Sequence, residues 1–171
     1  MAQPFSVKRA QVEFHNFASL GEPERNLRIY AEENQRRAAI LYKHREFVGA
    51  MSPFLEIGAN AGHSSYMLAN EFGAEGFALD LSADSLRHGR AIQDLWQLEK
   101  APVRIAGDAA NLPFADGSIR MVCAFQMLSQ FMDIESVFRE VHRVLQPGGI
   151  FLFAEEPLKR MLSLRLYRCP Y

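Results

Sequence analysis

Cysteine is scarce in these 171 residues, with only Cys123 and Cys169, and the two stand in no metal-ligand spacing. That excludes a disulfide-framework domain, and a chain long enough to bury an apolar core has no need of a disulfide to fold. Reduced thiols and a cytoplasmic location are expected. Charge of one sign is also lacking: 19 Lys plus Arg balance 20 Asp plus Glu, for a net charge of −1. No global field draws the chain to nucleic acid or to an anionic membrane surface, and neither is expected as a partner. No stretch approaches the roughly 20 consecutive apolar residues of a membrane span. The opening MAQPFSVKRAQVEF has no long apolar run behind its charges, so no export signal is expected. What remains is a 49% hydrophobic composition and the length of a single globular domain.

Periodicity divides the chain into alternating elements. From Pro23 to Val48, Leu27, Tyr30, Ala31, Asn34, Ala38, Leu41, Tyr42 and Val48 recur at helical spacing, with Glu32, Glu33, Arg36, Arg37 and Lys43 between them. This predicts one amphipathic helix ending near Gly49. Pro53 forces an extended start to FLEIG, a short apolar strand. A glycine-rich turn follows, then a helix over 64–72 closed by Gly73, then the buried strand EGFALDL. Ser82 is placed to cap a helix carrying Leu86, Ile92, Leu95, Trp96 and Leu98, which Pro102 stops. VRIAGD is a third strand, ANLPFADGS a loop and IRMVCAF a fourth strand. Asp133 can cap a helix whose face carries Val137, Phe138, Val141, Val144 and Leu145; PGG breaks it, and IFLFA is strand five. Strands alternating with crossover helices predict a doubly wound, Rossmann-like α/β domain with a mostly parallel sheet. The domain reading is an N-terminal helical segment over 1–50 and a core over 51–171.

In such a sheet, ligands bind beyond the carboxyl ends of the strands where the winding reverses. The first turn there is Glu56-Ile57-Gly58-Ala59-Asn60-Ala61-Gly62. Gly58 and Gly62 leave the backbone free to turn tightly and to approach a ligand, and Asn60 tolerates left-handed geometry better than most residues. The dinucleotide pattern GxGxxG would need Gly at 58, 60 and 63, where the chain has Gly58, Asn60 and His63. Two of three positions fail, which argues against a ligand with phosphates at that turn and against a nicotinamide or nucleotide-sugar enzyme. A phosphate-free adenosine ligand fits better. Asp80 ends strand two, where its carboxylate can accept from both ribose hydroxyls; Asp108 ends strand three, where it can accept from an adenine amino group, with the Ala109 N–H beside it.

LEIGANAG at 55–62, ALDLS at 78–82, GDAANLPFADGSIRMV at 107–122 and FREVHRVLQPGGIFLFAEE at 138–156 resemble, in order and spacing, the motifs of the class I S-adenosylmethionine-dependent methyltransferases. The branch most similar is the one containing ubiquinone and menaquinone biosynthesis enzymes. The resemblance covers about residues 54–156, and four motifs in register are far more specific than one. It implies S-adenosylmethionine as cofactor, with Glu56, Gly58, Asn60 and Gly62 on its methionine part, Asp80 on the ribose and Leu81 along the adenine. It further implies Asp108 and Ala109 at the adenine edge, and Phe125 with Gln126 passing beneath it. The chain departs from the family at Asn60, which replaces a glycine, and at Arg120, which stands where an Asp is usual. The family's sheet also ends in an antiparallel hairpin that the sequence does not display after strand five, so the core is expected to be incomplete at its C-terminal side. IFLFA would then be an apolar edge covered by a second copy or a further domain.

These readings converge on a methyltransferase with an unidentified, small-molecule acceptor; the alternative is a methyltransferase-like binding or regulatory module, or a fragment, without turnover. No residue is singled out as catalytic. His63, at a helix start, is expected to be solvated or capping, and His88 and His142 to lie on solvated faces. Glu155 and Glu156 are candidates to orient a substrate, and Phe14, His15 and Tyr30 belong to a segment that folds over the cofactor as a lid in the resembled family. The basic stretch LKRMLSLRLYR is expected to begin another helix.

Overall fold

The computed structural model describes residues 23–131 and 133–154. Phe14, His15, Glu155, Glu156 and the basic stretch lie outside the described residues. Helix α1 spans Pro23–Lys43 and a single turn, α2, spans Arg45–Val48. The strands are β1 (Phe54–Ile57), β2 (Gly76–Asp80), β3 (Val103–Ala106), β4 (Ile119–Phe125) and β5 (Leu145–Ala154), and the helices between them are α3 (His63–Glu71), α4 (Ala83–Leu95) and α5 (Ile134–Val144). A short 3-10 turn, Leu128–Gln130, follows β4. No helix of the described residues is long and apolar enough to cross a membrane.

The sheet order is β3-β2-β1-β4-β5, and every pairing is parallel. The winding reverses at β1, flanked by β2 and β4. This is the doubly wound Rossmann-like architecture that the alternating pattern predicts, and β1 and most of β4 are buried because helices cover both faces. Alternate residues of β1 serve opposite layers. Phe54 joins Leu41, Met67, Leu68 and Cys123 on the side of α1 and α3, whereas Leu55 and Ile57 join Val137, Val141 and Val144 of α5. The Ser82 cap accepts the Ser85 N–H at 3.1 Å and the Asp133 cap accepts the Ser136 N–H at 3.2 Å.

Two expectations change in detail. The predicted single helix over 23–48 breaks at His44 (φ −109°, ψ 20°), and the extra turn that follows delivers Val48 into the core beside Ala38 and Leu41. Pro147-Gly148-Gly149, expected to separate α5 from strand five, lies inside β5 as an irregularity. Ile119 pairs with Leu145, the register shifts, and Met121 pairs with Ile150. Gly148 sits at φ 73°, and a Cβ at Gly149 would stand 2.8 Å from the Gln146 carbonyl oxygen. Arg120 explains its own departure from the family pattern: its guanidinium donates to Gly148 O at 2.6 Å and Ala50 O at 3.3 Å, tying the shifted segment to the loop before β1. On α5, Phe138 is partly exposed and lies edge-on to Phe151 rather than joining the buried valines.

Candidate functional site

The turn after β1 folds as its composition requires. Gly58, Asn60 and Gly62 all take positive φ, at 68°, 53° and 79°. At Gly58 the positive φ is what calls for glycine; a Cβ there would also make the flexible Met127 side chain shift. Asp80 holds this turn from β2: its carboxylate accepts the Asn60 N–H and the Ser82 N–H, both at 2.8 Å. Each oxygen keeps a second lone pair for a ligand donor. At the end of β3, the Gly107 N–H donates to Asp80 O at 2.9 Å, and Asp108 closes a tight turn by accepting the Ala110 N–H at 3.0 Å.

The structure sorts the ten residues singled out from the sequence into two groups. Gly58, Asp80, Leu81, Asp108 and Ala109 line one cavity at the carboxyl ends of the strands. Leu79, Gly107, Met127, Gln130 and Phe131 also line it, and sequence reasoning did not single them out. Among the described residues no lysine or arginine lines it, and the turn beside it carries Asn60 and His63 where a dinucleotide turn that cradles phosphates on its backbone would have glycines. Glu56, Asn60, Gly62, Phe125 and Gln126 are not on its wall, and Asn60, Phe125 and Gln126 instead reach Tyr30, Arg37 and Glu33 of α1.

That second group is joined by a polar cluster of which the sequence reading set Tyr30 and Asn34 on the apolar stripe of α1, Glu33 and Arg37 between its positions, and His63 at a solvated or capping place. Arg37 is buried, and its guanidinium lies 2.8 Å from His63 Nε2, donates to Ser64 Oγ at 2.5 Å, pairs with Glu33 at 3.3 Å and lies 4.3 Å over the Phe125 ring. Glu33 also meets His63 Nε2 at 3.0 Å and accepts from the Gln126 amide at 3.3 Å. Asn34 donates to His63 O at 2.9 Å, and Asn60 donates to the Tyr30 hydroxyl at 3.3 Å. His63 is thus not a solvated cap: it is 6% exposed and stacked on Tyr30 at 4.1 Å. His142 is exposed as expected, and His88 is half-buried. The signal for Arg37 was present in the sequence, since it falls three residues after Asn34 and four before Leu41, on the apolar stripe of α1.

Electrostatics follow from this burial. Glu56 lies under the turn, 2% exposed, with the Ser65 hydroxyl donating to it at 2.5 Å. Burial raises its carboxyl above the ordinary range, against the opposing pull of His63, Ser65 and Arg37. Burial also acts to raise Glu33, but the His63 hydrogen bond and the charge of Arg37 outweigh it and hold that carboxyl below the usual value. The Cys123 thiol, buried in the sheet, is pushed well up by desolvation and by Glu56.

A parallel sheet with a positive-φ glycine turn at its switch point, and carboxylates ending the two strands beyond it, defines a Rossmann-like nucleoside-binding domain. More narrowly, the methyltransferase domain family matches residues 55–153, and the chain belongs to that family, within the class I S-adenosylmethionine-dependent methyltransferases its motifs resemble. It is 27% identical over 153 residues to a fatty-acid O-methyltransferase of Mycolicibacterium smegmatis, covering 87% of this chain and 54% of that protein. It is 36% identical over 97 residues to a demethylmenaquinone methyltransferase of Listeria welshimeri, covering 56% and 41%. A solved structure from Pyrococcus horikoshii OT3 superposes with a TM-score of 0.61 at 25% identity, covering 80% of this chain and 64% of that one. The chain spans about half the length, or less, of the curated relatives it matches.

Proposed function

We propose that this chain is the cofactor-binding core of an S-adenosylmethionine-dependent methyltransferase acting on a small-molecule acceptor. The observation that carries this reading is the cavity that joins Gly58, Asp80 and Asp108 beside a turn lacking the second and third glycines of the phosphate-binding pattern. Such a site suits an adenosine without phosphates. Asp80 would accept from the ribose hydroxyls while bracing the turn, Leu81 would lie along the base, and Asp108 with the Ala109 N–H would meet its edge. Gly58, Asn60 and Gly62 would bring backbone against the methionine part, with Glu56 beneath as the anionic partner of its ammonium. Arg37, a buried guanidinium beside the same turn, suits its carboxylate. Phe125 and Gln126, reached by Arg37 and Glu33 of α1, would close the floor, and α1 serves as the lid.

When bound, S-adenosylmethionine supplies an electrophilic methyl group on a sulfonium. The residues of the chain then need only hold donor and acceptor in line and exclude water, an effect that reaches roughly 7–11 kcal/mol of barrier in well-oriented systems. An acceptor that is already a nucleophile requires no dedicated base.

Calorimetric titration of the 171-residue chain with S-adenosylmethionine, S-adenosylhomocysteine and NAD tests the reading. Binding of the first two, no binding of NAD, and loss of binding in Asp80→Ala are expected. Equal binding of NAD, or unchanged binding in the variant, contradicts it.

A further inference from the structure

We propose that Glu140 and Arg143 of α5, neither of which lines the cavity, set the adenine specificity of the site by clamping the loop that follows β3. The inference rests on the cofactor reading above and assigns the two as positioning residues.

The loop over 107–118 carries Asp108 and Ala109, has no strand partners over most of its length, buries Ala109 and Leu112 in the core, and depends on groups outside it to fix its backbone. Arg143 holds it. Its Nε and Nη2 donate to both oxygens of Glu140, at 2.8 and 2.7 Å. Nη2 also donates to Leu112 O at 3.0 Å, and Nη1 donates to Phe114 O at 2.8 Å and Asp116 Oδ1 at 2.7 Å. Glu140 in turn accepts the Leu112 N–H at 2.7 Å, and the Arg143 carbonyl accepts the Gly117 N–H at 2.9 Å. Backbone groups of residues 112, 114 and 117 are therefore tied to a single turn of α5.

That turn is a rigid base, because the adjoining face of α5 buries Val137, Val141 and Val144 in the core. The near end of the loop is fixed independently by Gly107 N–H on Asp80 O and by Asn111 N–H on Asp108 O, each at 2.9 Å. Asp108 stands just inside this anchored end, with Leu112 and the clamp four residues on. The Arg143–Glu140 pair is partly shielded, at 32% and 18% side-chain exposure, whereas Asp116 is 80% exposed and adds little. The planar fork of arginine matches these acceptors; the single ammonium of lysine cannot reach them all.

A fixed Asp108 carboxylate favours an amino group at the edge of the base and repels a carbonyl oxygen there. A loosened loop lets the carboxylate retreat from that carbonyl, and the discrimination falls.

The test compares binding of S-adenosylhomocysteine and S-inosylhomocysteine, which differ by that amino-to-carbonyl exchange and the proton it places on N1, in the 171-residue chain and in Arg143→Ala, Arg143→Lys and Glu140→Gln. The wild type is expected to prefer the adenosyl ligand by roughly 10- to 100-fold, the value of a charge-assisted hydrogen bond. The ratio should collapse in Arg143→Ala and in Arg143→Lys alike, with hydrogen exchange accelerated at the Leu112 amide. If Arg143→Ala does not fold, Glu140→Gln and Arg143→Lys carry the comparison. Equal loss of both ligands with an unchanged ratio, or full rescue by lysine, marks a purely structural role and overturns the inference. A wild type that binds neither ligand overturns the cofactor reading and the inference with it; a wild type that binds both equally overturns the inference alone.

Discussion

Asp80 does two things with one carboxylate: it accepts the backbone N–H groups of Asn60 and Ser82, and it faces the cavity. Asp80→Asn keeps the size but turns one acceptor into a donor against a backbone N–H. Its affinity for S-adenosylhomocysteine should fall about 10- to 100-fold, measured by calorimetry. Glu56 poses the opposite case, a group whose burial works against folding. Its folded pKa is raised, so its contribution is most favourable below the unfolded value near 4.5 and is lost as pH rises through the folded value. Glu56→Gln keeps an acceptor for the Ser65 hydroxyl. It should raise the melting temperature at about pH 7.5 and lose that advantage near about pH 4, while weakening cofactor binding. A variant less stable at both pH values would show that Glu56 supports the fold more than its burial costs. At this scale the sequence was readable wherever one residue type has one physical use: Gly58, Gly62, Asp80 and Asp108 stand where their chemistry placed them. Glu33 was not, because a charged residue on a helix is ordinarily solvated; Arg37 falls on the apolar stripe of α1, but only its neighbours in space show what its guanidinium meets there.

Helix α1 docks through a mixed face. Ala38 and Leu41 enter the apolar layer, while Tyr30, Glu33, Asn34 and Arg37 bind the start of α3. Removing one partner from a buried ion pair leaves the other uncompensated, so Arg37→Ala should cost about 3–5 kcal/mol in denaturant unfolding. Glu33 carries a pH dependence of the opposite sign to Glu56. Its lowered pKa gives stability that is present above the unfolded value near 4.5 and lost as pH falls through the folded one. Glu33→Gln should therefore lose less stability on acidification than the wild type, read from melting temperatures across the acid range. Helix and strand positions along α3, α4 and α5 were legible from period and caps. The break at His44 and the shifted register of β5 were not, since both are set by what the segment must reach: the core for Val48 and the Arg120 guanidinium for Gly148.

Across the whole molecule, the described part of the sheet is open beyond β5, where Phe153 is 45% exposed beside Phe151. An apolar edge with free backbone groups favours pairing with another strand. The 171-residue chain should self-associate with rising concentration, and Phe153→Lys should shift it toward monomer in analytical ultracentrifugation; a wild type monomeric at every concentration would rule this out. The sequence by itself determined the order and kind of the elements, the parallel winding and the placement of Gly58, Asp80 and Asp108, because periodicity, glycine conformation and strand ends are local properties. The tertiary structure decided which of those residues share a cavity, buried His63 against α1 and Arg37 of α1 against the start of α3, and tied the loop after β3 to α5. Those outcomes depend on contacts between residues some 20 to 90 positions apart, and local pattern carries no information at that range.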